Sequence, residues 1–244
     1  MQENAPRLSV VIPMYNEAHR LRRSLPKLEG YFRSRPYTVE LVVVDDGSSD
    51  DTLELAREIL AGHPNVNVIE SKPNRGKGHA VKVGMLAARG EIVLFTDADL
   101  STPPDEIEKF WEWFDKGYDV VIGSRKMKGA HIERHQPLWR ENLGKVFTWL
   151  TNRIATRGIS DITCGFKAFT HDAAQELFSR SIIDDWSFDA EVLFIAQQQG
   201  KRIKEVPVRW HDERGTKVRI LRDATRAMLG LLKIRLNGLK GVYR

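Results

Sequence analysis

The chain has 244 residues, 41% of them apolar and 29% charged, which suits one large globular domain or two small ones. No apolar run is long enough to span a bilayer and no charged-then-apolar leader opens the sequence; the single cysteine, Cys164, excludes an internal disulfide and a cysteine-based zinc site. The formal net charge of +5 is unevenly spread: residues 1–120 carry 15 basic and 20 acidic side chains, residues 121–244 carry 23 and 13.

In chain order, "LSVVIPMYNE" (8–17) reads as a buried strand broken by Pro13, followed by a helix over 18–32. "VELVVVDDGSSDDT" (39–52) is a second buried strand that ends in acids and a turn. Ser49 or Asp50 can cap the helix that follows at 52–62, which Gly62 and Pro64 terminate. A third strand covers 66–71, a glycine-bearing turn and helix 74–90, and a fourth strand "EIVLFTDAD". Strands and helices alternating at this spacing predict βαβ units and a largely parallel sheet. After residue 120 the pattern changes. A strand at 119–125 leads into a basic loop (126–137), a helix near 139–156, a strand or loop at 160–170, a helix at 188–200 and a strand at 203–210.

Ligands of such sheets gather beyond the carboxyl ends of the strands. Three strands here end in "PMYNE", "DDGSSD" and "DADLS", so polar chemistry is expected on one rim. Asp97 and Asp99, two residues apart on extended chain, point the same way and repel. Solvent or a divalent cation held through oxygen can offset that repulsion. The turn "NRGKGHA" can hold a phosphate or a ribose through backbone N–H groups and Lys77, although it matches neither the P-loop nor a dinucleotide fingerprint. Asp45–Asp46 reads equally well as a helix cap. His131, His135 and His211 lack metal-site spacing, and Cys164 reads as a small packed residue.

Taken together, "VIPMYNE", "VVVDDGSSDDT", "NRGKGHAV" and "DADLS" resemble the inverting family 2 glycosyltransferases. The segments "GSRKMKGAHIER", "RENLGKVFTWL", "ISDITCGFKAFT", "WSFDAEVLFIA", "IKEVPVRW" and "LLKIRLNGLKG" look like the polyprenyl-phosphate sugar transferases, the dolichyl-phosphate glucosyl branch more than the mannosyl one. The resemblance implies a GT-A fold: a Rossmann-like, mostly parallel mixed sheet flanked by helices (1–212), with a basic helical tail (213–244). It implies transfer of a hexose from a nucleoside diphosphate sugar, UDP-glucose rather than GDP-mannose, to a polyprenyl phosphate. Asp97 and Asp99 match the positions that hold Mg²⁺ or Mn²⁺, and Ser101 stands where mannosyl relatives carry a further ligand. Pro13, Tyr15, Glu17, Asp45 and Asp46 match nucleoside-binding positions. Arg125, Arg140, Arg214 and Lys217 match basic positions near the donor and acceptor phosphates. Asp161, Lys167 and Asp189 fall in matching motifs without an assigned role. A transferase with a soluble phosphorylated acceptor is the rival enzyme reading. A nucleic-acid-binding protein is opposed by the acidic rim and by the lack of an aromatic-basic RNA motif.

The eukaryotic glucosyl relatives carry an amino-terminal membrane anchor that this sequence is expected to lack. On a helical wheel over 217–244, Arg219, Arg222, Arg226, Lys233 and Lys240 share one face, with Leu221, Ala224, Met228, Leu231 and Leu232 opposite. That apolar face is expected to pack on the domain or to meet lipid. The expected location is therefore the cytoplasm, at the surface of an anionic membrane, by peripheral docking or through a membrane-anchored partner.

Overall fold

The computed structural model describes residues 5–134, 138–213 and 220–244, and the side chains of these except at 138–141 and 220–225. The first four strands are β1 (Leu8–Met14), β2 (Val39–Asp45), β3 (Val66–Glu70) and β4 (Ile92–Thr96). They alternate with helices α1 (Ala18–Arg33), α2 (Thr52–Leu60) and α3 (Lys77–Ala87). A 3₁₀ turn (Pro104–Lys109), α4 (Trp111–Asp115), β5 (Val120–Ser124), β6 (His131–Arg134) and α5 (Leu138–Ile154) follow. The chain then forms β7 (Phe166–Thr170), α6 (His171–Arg180), α7 (Phe188–Gln198), β8 (Ile203–Pro207), β9 (Arg209–His211) and α8 (Ile220–Leu239).

Among the described residues, the main sheet has seven strands in the order β3-β2-β1-β4-β7-β5-β8. Every pairing is parallel except the two made by β7, which runs against both β4 and β5. The near-continuous apolar strands are what a parallel sheet covered on both faces requires. Alternate residues serve opposite faces. Val11, Val42, Val44, Val93 and Phe95 pack with α3, α6 and α7 on one side. Leu8, Val10, Ile12, Leu41, Val43 and Leu94 pack with α1, α2 and the 3₁₀ turn on the other.

The structure amends the expected elements in several places. Pro13 lies inside β1, in register with Val44, and does not interrupt the pairing. Segment 160–170 resolves into a loop and the antiparallel strand β7. The loop expected at 126–137 contains β6, and the strand expected at 203–210 divides at Val208 so that β9 leaves the main sheet to pair with β6. Helix α6 was not anticipated.

The segment set apart as a tail shares the main core. Leu231 and Ile234 of α8 are fully buried with α7, and Tyr243 is 1% exposed. The Tyr243 hydroxyl donates to Glu191 Oε1 at 2.8 Å, while the other oxygen of Glu191 accepts the backbone N–H groups of Ile182 (3.1 Å) and Ile183 (3.0 Å). Leu232, assigned by the wheel to the same apolar face as Leu231, is exposed. No helix among the described residues is long and apolar enough to cross a membrane.

Candidate active site

Parallel pairing places the carboxyl ends of β1, β2 and β4 side by side, with Met14 opposite Asp45. The loops leaving β1 and β2 are tied together. Asn16 N–H donates to Ser48 Oγ (2.9 Å), Ser49 N–H donates to Asn16 Oδ1 (2.8 Å), and Glu17 N–H donates to Thr52 Oγ1 (2.8 Å). Asn16 takes the left-handed conformation at φ 51°, a region that asparagine tolerates better than most residues. This connection leaves Tyr15 exposed at the rim and Pro13 buried beneath it; Glu17 pairs with Arg20 at 3.0 Å.

Asp45 and Asp46 have different surroundings. Asp45, wholly buried, accepts from the backbone N–H of Ser48 (3.0 Å) and from its hydroxyl, closing the turn after β2. Asp46 reaches the glycine-bearing turn, accepting from Arg75 N–H (3.1 Å), Gly76 N–H (2.7 Å) and the Asn74 side chain (2.8 Å). Burial holds its carboxyl above the usual carboxylate range against these hydrogen bonds. The turn is wedged from the other side too. A Cβ on Gly76 (φ +117°) would stand 2.5 Å from the Asp184 carbonyl oxygen, so only glycine fits.

Lys77 opens α3 from that turn, and its Nζ lies 2.5 Å from Asp97 Oδ1, over the rings of Trp186 (5.0 Å) and Phe95 (5.6 Å). Burial alone would lower the ammonium pKa; Asp97, Asp189 and Asp99 outweigh it and hold it above the ordinary lysine value. Asp97 follows β4 and packs against Gly165, whose added Cβ would come within 1.9 Å of Asp97 Oδ2. Leu100, at φ 54°, bends the chain so that Asp97, Asp99 and Ser101 share one tight turn. Asp99 accepts from Ser101 N–H at 2.9 Å. Its carboxyl is raised by burial first and by Asp97 next, against the Ser101 hydrogen bonds and Lys77.

Arg125 follows β5 and clasps Asp161, donating from its backbone N–H (2.9 Å), Nε (2.7 Å) and Nη2 (2.7 Å); Nη2 also meets Thr163 Oγ1 at 3.0 Å. Asp161 is fully buried, yet Arg125 holds its carboxyl below the usual range against that burial. Lys167 and Asp189 form a second buried pair at 2.5 Å, with Lys167 also donating to the Cys164 carbonyl. Burial, then Asp161, pushes the Cys164 thiol up to about 11, which removes it as a nucleophile at neutral pH.

The rim thus brings together Pro13, Tyr15, Glu17, Asp45, Asp46, Lys77, Asp97, Asp99, Ser101 and Arg125. The side chain of Arg140, together with Arg214 and Lys217, lies outside the described residues, as do His135, Arg219 and the side chain of Arg222. Sequence reasoning missed Gly165, Trp186 and Asp184, which complete the rim from later segments; nothing in their local spacing marks them.

Residues 9–178 match the model of glycosyl transferase family 2. The chain belongs to that family. Among curated relatives, the dolichyl-phosphate β-glucosyltransferase of Trichomonas vaginalis is 37% identical, the match covering 86% of this chain and 65% of that protein. The human dolichyl-phosphate β-glucosyltransferase is 35% identical over 97% of this chain and 77% of its own length, and the Saccharomyces cerevisiae one 33% over 97% and 76%. Among solved structures, glucosyl-3-phosphoglycerate synthase from Mycobacterium tuberculosis, in complex with Mn²⁺, UDP-glucose and phosphoglyceric acid, superposes with a TM-score of 0.70. It shares 19% identity over 94% of this chain and 79% of its own. A Pyrobaculum calidifontis mannosyltransferase in complex with GDP-mannose and Mn²⁺ gives 0.57 at 24% identity, over 88% and 59%. The fold of the family 2 chain is accordingly GT-A, a mostly parallel seven-stranded sheet among the described residues, flanked by helices.

Proposed function

We propose that this family 2 glycosyltransferase moves glucose, with inversion, from UDP-glucose to a polyprenyl phosphate of the dolichyl type. The observation that carries the reading is the rim itself. Two carboxylates at one strand end, a lysine on one of them and an arginine beside them suit a diphosphate leaving group, and the glucosyl relatives match over most of the chain.

Asp97 and Asp99 fit Mg²⁺ or Mn²⁺. Burial and then the charge of Asp97 raise Asp99, and no cluster of three histidine, cysteine or acidic ligands occurs among the described residues. Mg²⁺ in phosphate-transfer sites takes one or two carboxylates and completes its shell with water and phosphate. Bound there, the cation would neutralise charge developing on the departing nucleoside diphosphate. Ser101 steadies Asp99, and the strand ends and loops that carry Pro13, Tyr15, Glu17, Asp45 and Asp46 form the floor for the nucleoside. Arg125 is oriented by Asp161, with its guanidinium 5.3 Å from the Trp210 ring centre. The acceptor phosphate, with a second pKa of about 6 by analogy with phosphoserine, is already an anionic nucleophile at neutral pH. The reaction therefore needs no strong general base. The deciding experiment incubates the protein and Mg²⁺ with UDP-glucose or GDP-mannose and either dolichyl phosphate or 3-phosphoglycerate. Glucose recovered in the lipid extract is expected. Water-soluble glucosyl product would favour the soluble-acceptor reading, and preference for GDP-mannose would reverse the donor.

The lipid acceptor places the enzyme at a bilayer. Leu229, Leu232, Leu236 and Leu239 recur along α8 at helical spacing, all exposed, and the neighbouring α5 exposes Leu143, Val146 and Trp149. Exposed Arg226, Lys233 and Lys240 accompany the leucine row. Each cation at an anionic surface contributes about 1 kcal/mol, weakened by salt. We expect the protein to sediment with anionic vesicles at low salt. Leu232→Gln with Leu236→Gln should cut the bound fraction several-fold at any ionic strength, whereas Arg226→Gln with Lys233→Gln should do so most at low salt. Unchanged sedimentation in both variants would place the lipid contact elsewhere on the protein, and no sedimentation of the unmodified protein at low salt would assign the anchor to a partner membrane protein.

A further inference from the structure

Lys77 occupies an unusual place for a lysine in a site built for a cation. Its backbone is fixed: Gly76 and Gly78, on either side, have no room for a Cβ against the Asp184 and Ile183 carbonyl oxygens, each 2.5 Å from that position. The start of α3 is therefore packed closely on the backbone of residues 183 and 184. The side chain spans to Asp97 Oδ1 at 2.5 Å and is largely buried, at 16% exposure. The other oxygen of Asp97 is packed on Gly165. Of the other acids near the ammonium, Asp189 is already held by Lys167 at 2.5 Å and Asp99 accepts from Ser101 N–H at 2.9 Å. In this position the ammonium also lies over the face of half-exposed Trp186, 5.0 Å from its ring centre.

We infer that Lys77 is a stand-in cation, holding Asp97 while the site is empty and surrendering it when a divalent ion and a nucleoside diphosphate arrive, so that ion and nucleotide bind synergistically. This rests on the reading of Asp97 and Asp99 as cation-holding residues. An ammonium and a divalent ion repel when they share one carboxylate, and the repulsion is strong in a site largely shielded from water. Ion binding alone must work against Lys77. An incoming diphosphate offers the displaced ammonium a new anionic partner within reach of its flexible stem. Lys77 is in this account a positioning residue whose charge moves from acid to phosphate.

The test measures Mn²⁺ affinity by electron paramagnetic resonance, with and without UDP, in the unmodified protein and in Lys77→Met. The unmodified protein should bind Mn²⁺ weakly alone and roughly tenfold or more tightly with UDP. In Lys77→Met, Mn²⁺ alone should bind several-fold more tightly and the tightening by UDP should shrink. Lys77→Arg, which keeps the charge, should retain the synergy. A readout on the unmodified protein guards against a folding defect: acylation of Lys77, followed by mass spectrometry, should rise with Mn²⁺ and fall again when UDP is added. Normal Mn²⁺ binding that is equal or weaker in folded Lys77→Met, or labelling indifferent to Mn²⁺, overturns this inference alone. No Mn²⁺ binding by the unmodified protein in either condition overturns the cation site and the inference with it.

Discussion

Asp99→Asn is expected to lower glucosyl transfer by roughly 10²- to 10³-fold, the scale of losing one electrostatic group at a reacting centre. Chelation of divalent ions should give a comparable loss in the unmodified protein. The fold should be unharmed. Burial and Asp97 raise the Asp99 carboxyl above the usual range, so its stabilising contribution is present at low pH and is lost as pH rises through the folded value. At neutral pH the charged form therefore costs stability, and asparagine should leave the thermal midpoint equal or slightly raised. Steady-state transfer and a thermal melt on the same preparation separate the two effects. A fully active Asp99→Asn protein, or indifference to EDTA, would remove the cation from the mechanism.

Asp161→Asn should act in the opposite manner, through the fold as well as the chemistry. Asp161 is completely buried and takes three hydrogen bonds from Arg125. Removing one partner of a buried pair typically costs about 3–5 kcal/mol, because the other charge is left uncompensated. Urea unfolding at neutral pH should show that loss as a lower midpoint. Since Arg125 depresses the Asp161 pKa, the contribution is present above the ordinary carboxylate range and is lost as pH falls through the folded value. The gap between the two proteins should therefore narrow in acid. A gap that is small at neutral pH, or that widens on acidification, would mean that the pair does not anchor this part of the rim.

What could be read from the sequence, and what could not, follows from distance along the chain. The first four strands are apolar runs ending in acids and turns, and each predicts itself from local pattern. Their shared rim follows from parallel pairing, so Asp45, Asp97 and Asp99 could be placed together before any coordinates. The short, mixed segment "GFKAFT" carries no such signal, because the direction of β7 is decided by the strands on either side of it. Likewise, nothing near Arg125 announces that its fork is shared with an acid 36 residues later. The wheel places Leu231 correctly and Leu232 wrongly, because it ranks residues by angle and cannot tell which side the neighbouring helices cover. Gly165 and Trp186 are site residues only by virtue of what folds against them.

The reversed strand β7 also governs when this molecule can finish folding. β4 and β5 do not pair with each other; β7 lies between them. As the chain leaves the ribosome, β1 to β4 can assemble early, but the side of β4 stays bare until Phe166–Thr170 has emerged, and β8 can join only after β5 has been positioned. Bare strand edges recruit other chains. A polypeptide halted between residues 125 and 165 would carry Asp45, Asp46, Asp97 and Asp99 and the first four strands of the sheet, together with an open edge on β4. Such a fragment should aggregate, and the same gap makes this interval the one where a chaperone that shields strand edges would matter most.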